Sequence, residues 1–151
     1  MTGPASGPRA RLVRAFGLVI QDERLEDRLS TIIDGMVAAL GDDGVWVIDG
    51  LLEATGPLGS RMATQLDTQR FDPDDGRPLR LTMAELRAIL REDGQVIELD
   101  AIWEQFGREV LRVIVRDGLS VDVLQAGKVL DDAMLGQCIE MDPELFLWAP
   151  P

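Results

Sequence analysis

The sequence predicts a single α+β domain, an antiparallel sheet covered by helices on one face. Two stretches predict it. Residues 95–125, QVIELDAIWEQFGREVLRVIVRDGLSVDVLQ, alternate apolar and polar side chains about two glycine-marked turns, the pattern of a three-stranded meander with one buried face. Residues 23–40 carry Leu25, Leu29, Ile32, Ile33, Met36, Val37 and Leu40 at helical spacing, a stripe suited to covering that face. A chain of 151 residues, 46% hydrophobic, is long enough to bury one core.

Residues 1–8, MTGPASGP, form an arm too rich in Gly, Pro and Ser to be helical, and residues 9–151 make the domain. Residues 9–20 read as a short amphipathic helix through Leu12, Val13, Phe16, Val19 and Ile20. Asp22 is placed to cap the long helix 23–40, and Gly41 to end it. Asp42-Asp43-Gly44 is a turn, 45–48 a strand, and 49–60 a glycine-broken connection. Residues 62–71 alternate as a strand would (Met62, Thr64, Leu66, Thr68), and 72–76, with Asp72, Asp74 and Asp75, form an acidic turn. A short strand at 79–81 precedes Thr82-Met83-Ala84-Glu85, a capping box opening a helix to about Arg91. After the meander, 127–140 reads as a helix bearing Cys138 on its apolar side, and 144–148 as a last edge strand.

Within the meander, three-residue loops at 107–109 and 116–118 pair Trp103 with Val113, Glu104 with Arg112, Val113 with Val121 and Arg112 with Asp122. One face then holds Ile97, Leu99, Ala101, Trp103, Leu111, Val113, Val115, Val121 and Val123. The other holds Glu98, Asp100, Glu104, Arg112, Arg116 and Asp122, with Arg112 between two carboxylates. Residues 99–106 also fit a short helix capped by Asp100, because Leu99, Ile102, Trp103 and Phe106 fall at i, i+3, i+4 and i+7.

The chain has 27 acidic and 15 basic residues, a formal charge of −12. Such a balance argues against nucleic-acid and anionic-membrane surfaces, which need clustered Lys and Arg, and favours a basic partner. Residues 1–20 hold three arginines and no acid, while from Asp117 onward seven acids face one base. The two ends are therefore expected to dock, within one chain or between copies. No apolar run approaches a membrane span and no signal-peptide pattern opens the chain, so a cytoplasmic protein is expected.

Chemistry is sparse. There is no His and no Tyr, which removes Ser-His-Asp and Cys-His arrangements. Cys138 is the single cysteine. Residues 72–76 fail as a calcium loop, since with Gly76 at position six the first and third positions are Phe71 and Pro73. Gly127-Lys128-Val129 lacks the Ser/Thr and upstream Gly of a phosphate loop. No catalytic residue, metal site or cofactor is expected.

Leu99-Asp100-Ala101-Ile102-Trp103 resembles the Leu-Asp-Ala-Leu-Trp segment of barstar-type inhibitors, small acidic proteins that block a basic ribonuclease. Val96-Ile97-Glu98 stands where a Gly and an Asn usually precede it. The expected element order is similar to that of class I type III secretion chaperones. Both resemblances imply a small bacterial protein that holds another protein without catalysing a reaction.

The expected function is a non-enzymatic, acidic protein-binding module of immunity-protein or secretion-chaperone type. It would meet a basic partner through Asp42, Asp43, Asp72, Asp74, Asp75, Asp131 and Asp132. The alternatives are a subunit of a larger assembly, such as a phage or injection particle, docking through its N-terminal arm as a homo-oligomer or on a neighbour, and then an enzyme of unassigned type.

Overall fold

The computed structural model describes residues 14–70, 78–126 and 130–146. The arm at 1–8, residues 9–13 of the expected first helix, the acidic turn bearing Asp72, Asp74 and Asp75, and the start of the expected helix at 127 lie outside them.

The described elements run β1 (Arg14–Leu18), α1 (Leu25–Leu40), β2 (Val45–Ala54), α2 (Pro57–Arg70), β3 (Leu79–Leu81), α3 (Met83–Arg91), β4 (Val96–Gln105), β5 (Arg108–Arg116), β6 (Ser120–Gln125), α4 (Asp132–Leu135) and β7 (Cys138–Met141). A 3₁₀ turn at Pro143–Phe146 follows. The strands form one antiparallel sheet in the order β3-β2-β4-β5-β6-β1-β7. The α+β class and the central meander stand as expected, and residues 99–105 are strand.

The helix-covered face of the meander is also the one expected. Leu99, Ala101, Trp103, Leu111, Val113, Val115, Val121 and Val123 belong to the main core, with Leu25, Leu29, Ile32, Ile33 and Met36 of α1 packed over them. Ile97, expected among them, is half-buried and outside that core, which holds Val96 instead. Trp46 joins them from β2, its ring 5.2 Å from that of Trp103. Each such aliphatic side chain contributes roughly 1.5–3 kcal/mol.

The registers differ from expectation by two residues. Val113 pairs with Val123, Val115 with Val121, and Trp103 with Leu111. The β4–β5 turn is the two-residue pair Phe106-Gly107, both at positive φ (55° and 72°), as in a type I′ turn. In the β5–β6 turn Asp117 and Gly118 are left-handed (57° and 64°) and Leu119 is left outside the ladder. A slip of two preserves which face each side chain occupies, so the core survived the error and the cross-strand partners did not.

Other expectations are corrected. Residues 14–18 are a strand between β6 and β7 rather than part of a helix. Gly17 weakens a helix there, and β6 offers a ladder of backbone partners. Residues 62–70 belong to helix α2, since Met62 and Leu66 are four apart and satisfy helical spacing as well as alternation. Residues 132–135 form only one helical turn, and Cys138 is a half-buried residue of strand β7. Residues 143–146 are 3₁₀ instead of strand. The strand expected at 45–48 continues through a bulge to Ala54.

α1 begins at Leu25, with Arg24 at its N-cap in place of Asp22 and no side-chain cap. Glu26 lies in the first turn and does not cap the helix. It is buried, accepts a hydrogen bond from the Val96 N–H (2.9 Å), and ties the start of α1 to the start of β4. Gly41 ends the helix at φ 79°, its N–H bonded to the Val37 carbonyl. The Thr82/Glu85 capping box of α3 is present, with Met83, Leu86, Ile89 and Leu90 buried.

Candidate functional site

Two places gather polar groups that the fold alone does not dispose of. One is the sheet face opposite the helices. The other is the end of the sheet where α1 hands over to β2.

On the open face, one row across the sheet reads Met141, Ala15, Leu124, Arg112, Ile102, Val47 and Arg80. Ala15, Ile114 and Leu124 form a small second core here, with Met141 and Phe146 packed on it. Arg112 lies in its midst, 6% exposed. Its Nε donates to Asp100 Oδ1 at 2.8 Å and its Nη2 to Asp100 Oδ2 at 2.5 Å. Asp49 lies 3.9 Å away. Burial alone would lower the Arg112 pKa, but the hydrogen bonds and charge of Asp100, with Asp49 and Glu109, outweigh it and raise the value. The guanidinium is therefore a fixed charge that takes no part in proton transfer.

The pairing expected between Arg112 and Glu104 or Asp122 is corrected by the register. Glu104 faces Arg80 at 3.7 Å, Arg116 faces Glu98 at 3.9 Å, and Asp122 stands one row from Arg112, opposite Ile114 and Gly17. Burial raises the Asp122 pKa, with Arg116 opposing the shift. Among the described residues no three His, Cys, Asp or Glu side chains are grouped to hold a metal ion.

At the sheet end, Asp42 and Asp43 are both exposed in the α1–β2 loop. Gly44 passes so close to β4 that a Cβ on it would lie 2.5 Å from the Glu104 carbonyl oxygen and 2.7 Å from the Trp103 ring. Gln105, 3% exposed, donates from Nε2 to the Leu40 carbonyl (2.8 Å) and accepts from Trp103 Nε1 (3.0 Å). The end of α1, the Asp42-Asp43 loop and the Phe106-Gly107 turn are thus one fixed unit. Phe106 projects from it, 82% exposed. Asp42 also lines a shallow cleft of about 380 Å³ with Met83, Ala84, Arg87, Ala88 and Arg91 of α3. Arg87 there is engaged by Asp34 at 2.5 Å.

Of the other expected contact residues, Asp72, Asp74 and Asp75 lie outside the described residues, and the structure does not bring Asp131 and Asp132 to this end. Asp131 is exposed and caps α4, its Oδ1 accepting from the Met134 N–H at 2.9 Å. Asp132 is the first residue of α4, a turn that lies against the middle of α1 where Met134 meets Gly35. Sequence reasoning missed Phe106, and its one available signal was a bulky aromatic immediately before a turn glycine.

The residues of the barstar-like run are spent on the sheet. Leu99, Ala101 and Trp103 fill the core and Asp100 engages Arg112. The element order on which the chaperone likeness rested is not the one observed. Comparisons with protein-family models, with curated proteins and with solved structures gave no match.

Proposed function

We propose that this protein is a non-enzymatic binding module that holds or neutralises a partner with a basic surface. The observation that carries the reading is the unequal fate of the two charge types. Among the described residues Arg14, Arg24, Arg28, Arg80, Arg87, Arg112 and Arg116 each face a carboxylate of the same chain, and Arg61, Arg91 and Arg108 are exposed without one. Asp42, Asp43, Asp93, Asp117 and Asp131 are exposed with no basic partner among the described residues. With a net charge of −12, the surface steers cations inward.

The test is capture of a partner from the native cell extract by the immobilised protein, followed by elution in rising salt. A discrete basic protein released as ionic strength rises supports the reading. A partner whose retention is indifferent to salt overturns it.

A second reading, a subunit of a larger assembly, is favoured by the β7 edge, where Ile139 and nearby Leu145 are 67% and 64% exposed. An apolar edge strand invites pairing with another chain. Truncating residues 1–8, which spares β1, tests the arm's part in such an assembly. Sedimentation of the truncated and full chains separates the readings: an assembly that disperses on truncation, with partner capture intact, favours the second.

A further inference from the structure

Phe106 presents an aromatic ring where both burial and backbone preference argue against one. We propose that Phe106, with Asp42 and Asp43 beside it, is the surface that receives an arginine- or lysine-bearing segment of the partner protein. The inference rests on the basic-partner reading above and adds where that partner sits.

Three observations converge on this end of the sheet. Phe106 is 82% exposed and holds φ at 55°, a conformation that suits Gly, Asn or Asp and strains an aromatic residue. The companion turn of the meander places Asp117 and Gly118 at similar positive φ, so the hairpin requires the left-handed backbone at 106 and not an aromatic residue there. Next, the tip is held in place: Gln105 bridges Trp103 Nε1 and the Leu40 carbonyl, and Gly44 lies against the Glu104 backbone. A fixed aromatic loses little conformational freedom when a partner binds.

Finally, the electrostatics favour a cation. The sixteen-residue helix α1 ends here with no basic residue in its last turn, so the negative end of its dipole meets the Gln105 amide and no positive charge from that turn. Asp42 and Asp43 add two exposed carboxylates; the exposed arginines nearby are Arg108 after the turn and Arg91, which shares a cleft with Asp42. A guanidinium or ammonium drawn to this end can lie over the Phe106 ring, whose face attracts cations. The adjoining cleft is lined by Met83, Ala84 and Ala88 together with Asp42, Arg87 and Arg91; Arg87 is engaged by Asp34, and the three apolar side chains can take an apolar neighbour of that cation.

The test is to titrate isotope-labelled full-length protein with a capped Arg-Leu-Arg-Leu-Arg peptide, following backbone amide shifts at low and high salt. The expected result is that shifts concentrate at residues 41–44 and 105–108. Phe106→Asn should weaken binding by roughly three- to tenfold in a protein at least as stable as the parent. Asp42→Asn with Asp43→Asn should weaken it similarly and flatten its salt dependence. Binding centred on other acidic positions, such as Asp131 and Asp142, with Phe106→Asn unchanged, overturns this inference and leaves the basic-partner reading in place. Absence of any binding at low salt overturns both.

Discussion

Arg112 and Asp100 form a two-bond fork, 2.8 and 2.5 Å, on the sheet face that the helices do not cover, and both side chains are at most 7% exposed. They stand one row apart on neighbouring strands, since Arg112 lies opposite Ile102 and Asp100 opposite Ile114. The pair is thus diagonal and depends on the register of β4 against β5. A one-residue slip would carry one partner to the helix-covered face, and a two-residue slip that sets Arg112 opposite Glu104 would break the fork.

Removing Asp100 strips Arg112 of both forked hydrogen bonds and of its nearest carboxylate, with Asp49 3.9 Å away. Asp100→Ala should therefore destabilise the protein by about 3–5 kcal/mol. Replacing both residues with leucine should recover much of that loss, because an apolar pair escapes the desolvation penalty. Urea unfolding of Asp100→Leu, Arg112→Leu and the double leucine variant completes the cycle. Single substitutions that cost under about 1 kcal/mol would mean the fork is dispensable.

Asp122 supplies a pH dependence of known sign. Burial holds its folded pKa above the ordinary value of 3.8, so the folded protein binds the proton more readily than the unfolded chain. The stabilisation due to the protonated form is complete below 3.8 and is lost as pH rises through the folded value. Asp122→Asn keeps the shape and removes the charge. The variant should be more stable than the parent at neutral pH, and the difference should shrink as pH falls toward 3.8. Denaturation midpoints of both proteins across that range check it. A difference constant with pH would assign the effect to packing.

What the sequence made legible follows from period-two arithmetic. Leu99 to Trp103 and Leu111 to Val115 could be assigned to faces because alternation does not depend on which turn closes the hairpin. The partners of Arg112 could not, since they shift with the turn, and Phe106 is not a residue type that announces a left-handed position. Met62 and Leu66 fit both helical and strand spacing, and the decision for α2 came from tertiary contact through Leu66, buried in the main core. Asp42 and Asp43 were legible as exposed turn residues, whereas the end of β4 beside them required the sheet.

Tertiary contact also decides how α2 begins. Glu92, just past the end of α3, accepts hydrogen bonds from the Leu58 N–H (2.8 Å) and the Gly59 N–H (2.9 Å). A carboxylate from another element thus caps the first turn and meets the positive end of its dipole. Glu92→Ala should cost roughly 0.5–2 kcal/mol and speed hydrogen exchange selectively across the first turns of α2. Protection unchanged there while global stability falls would place the contribution of Glu92 elsewhere.

Gly44 is the point where the loop after α1 meets β4. A Cβ at this position would lie 2.5 Å from the Glu104 carbonyl oxygen and within 3.0 Å of the Trp103 ring. The first obstacle is backbone within the β4–β2 ladder, where Glu104 pairs with Val45, and the second is a ring packed on Trp46. Neither yields without moving the sheet. Gly44→Ala should therefore cost about 1–3 kcal/mol, as overpacking does. It should also change the near-UV circular dichroism, because Trp103 is the aromatic group displaced. The same substitution should loosen the Gln105–Leu40 link and broaden the amide resonances of 105–108. A variant within about 0.5 kcal/mol of the parent, with an unaltered aromatic spectrum, would show that the loop can retreat from β4 and that the sheet end is not one fixed unit.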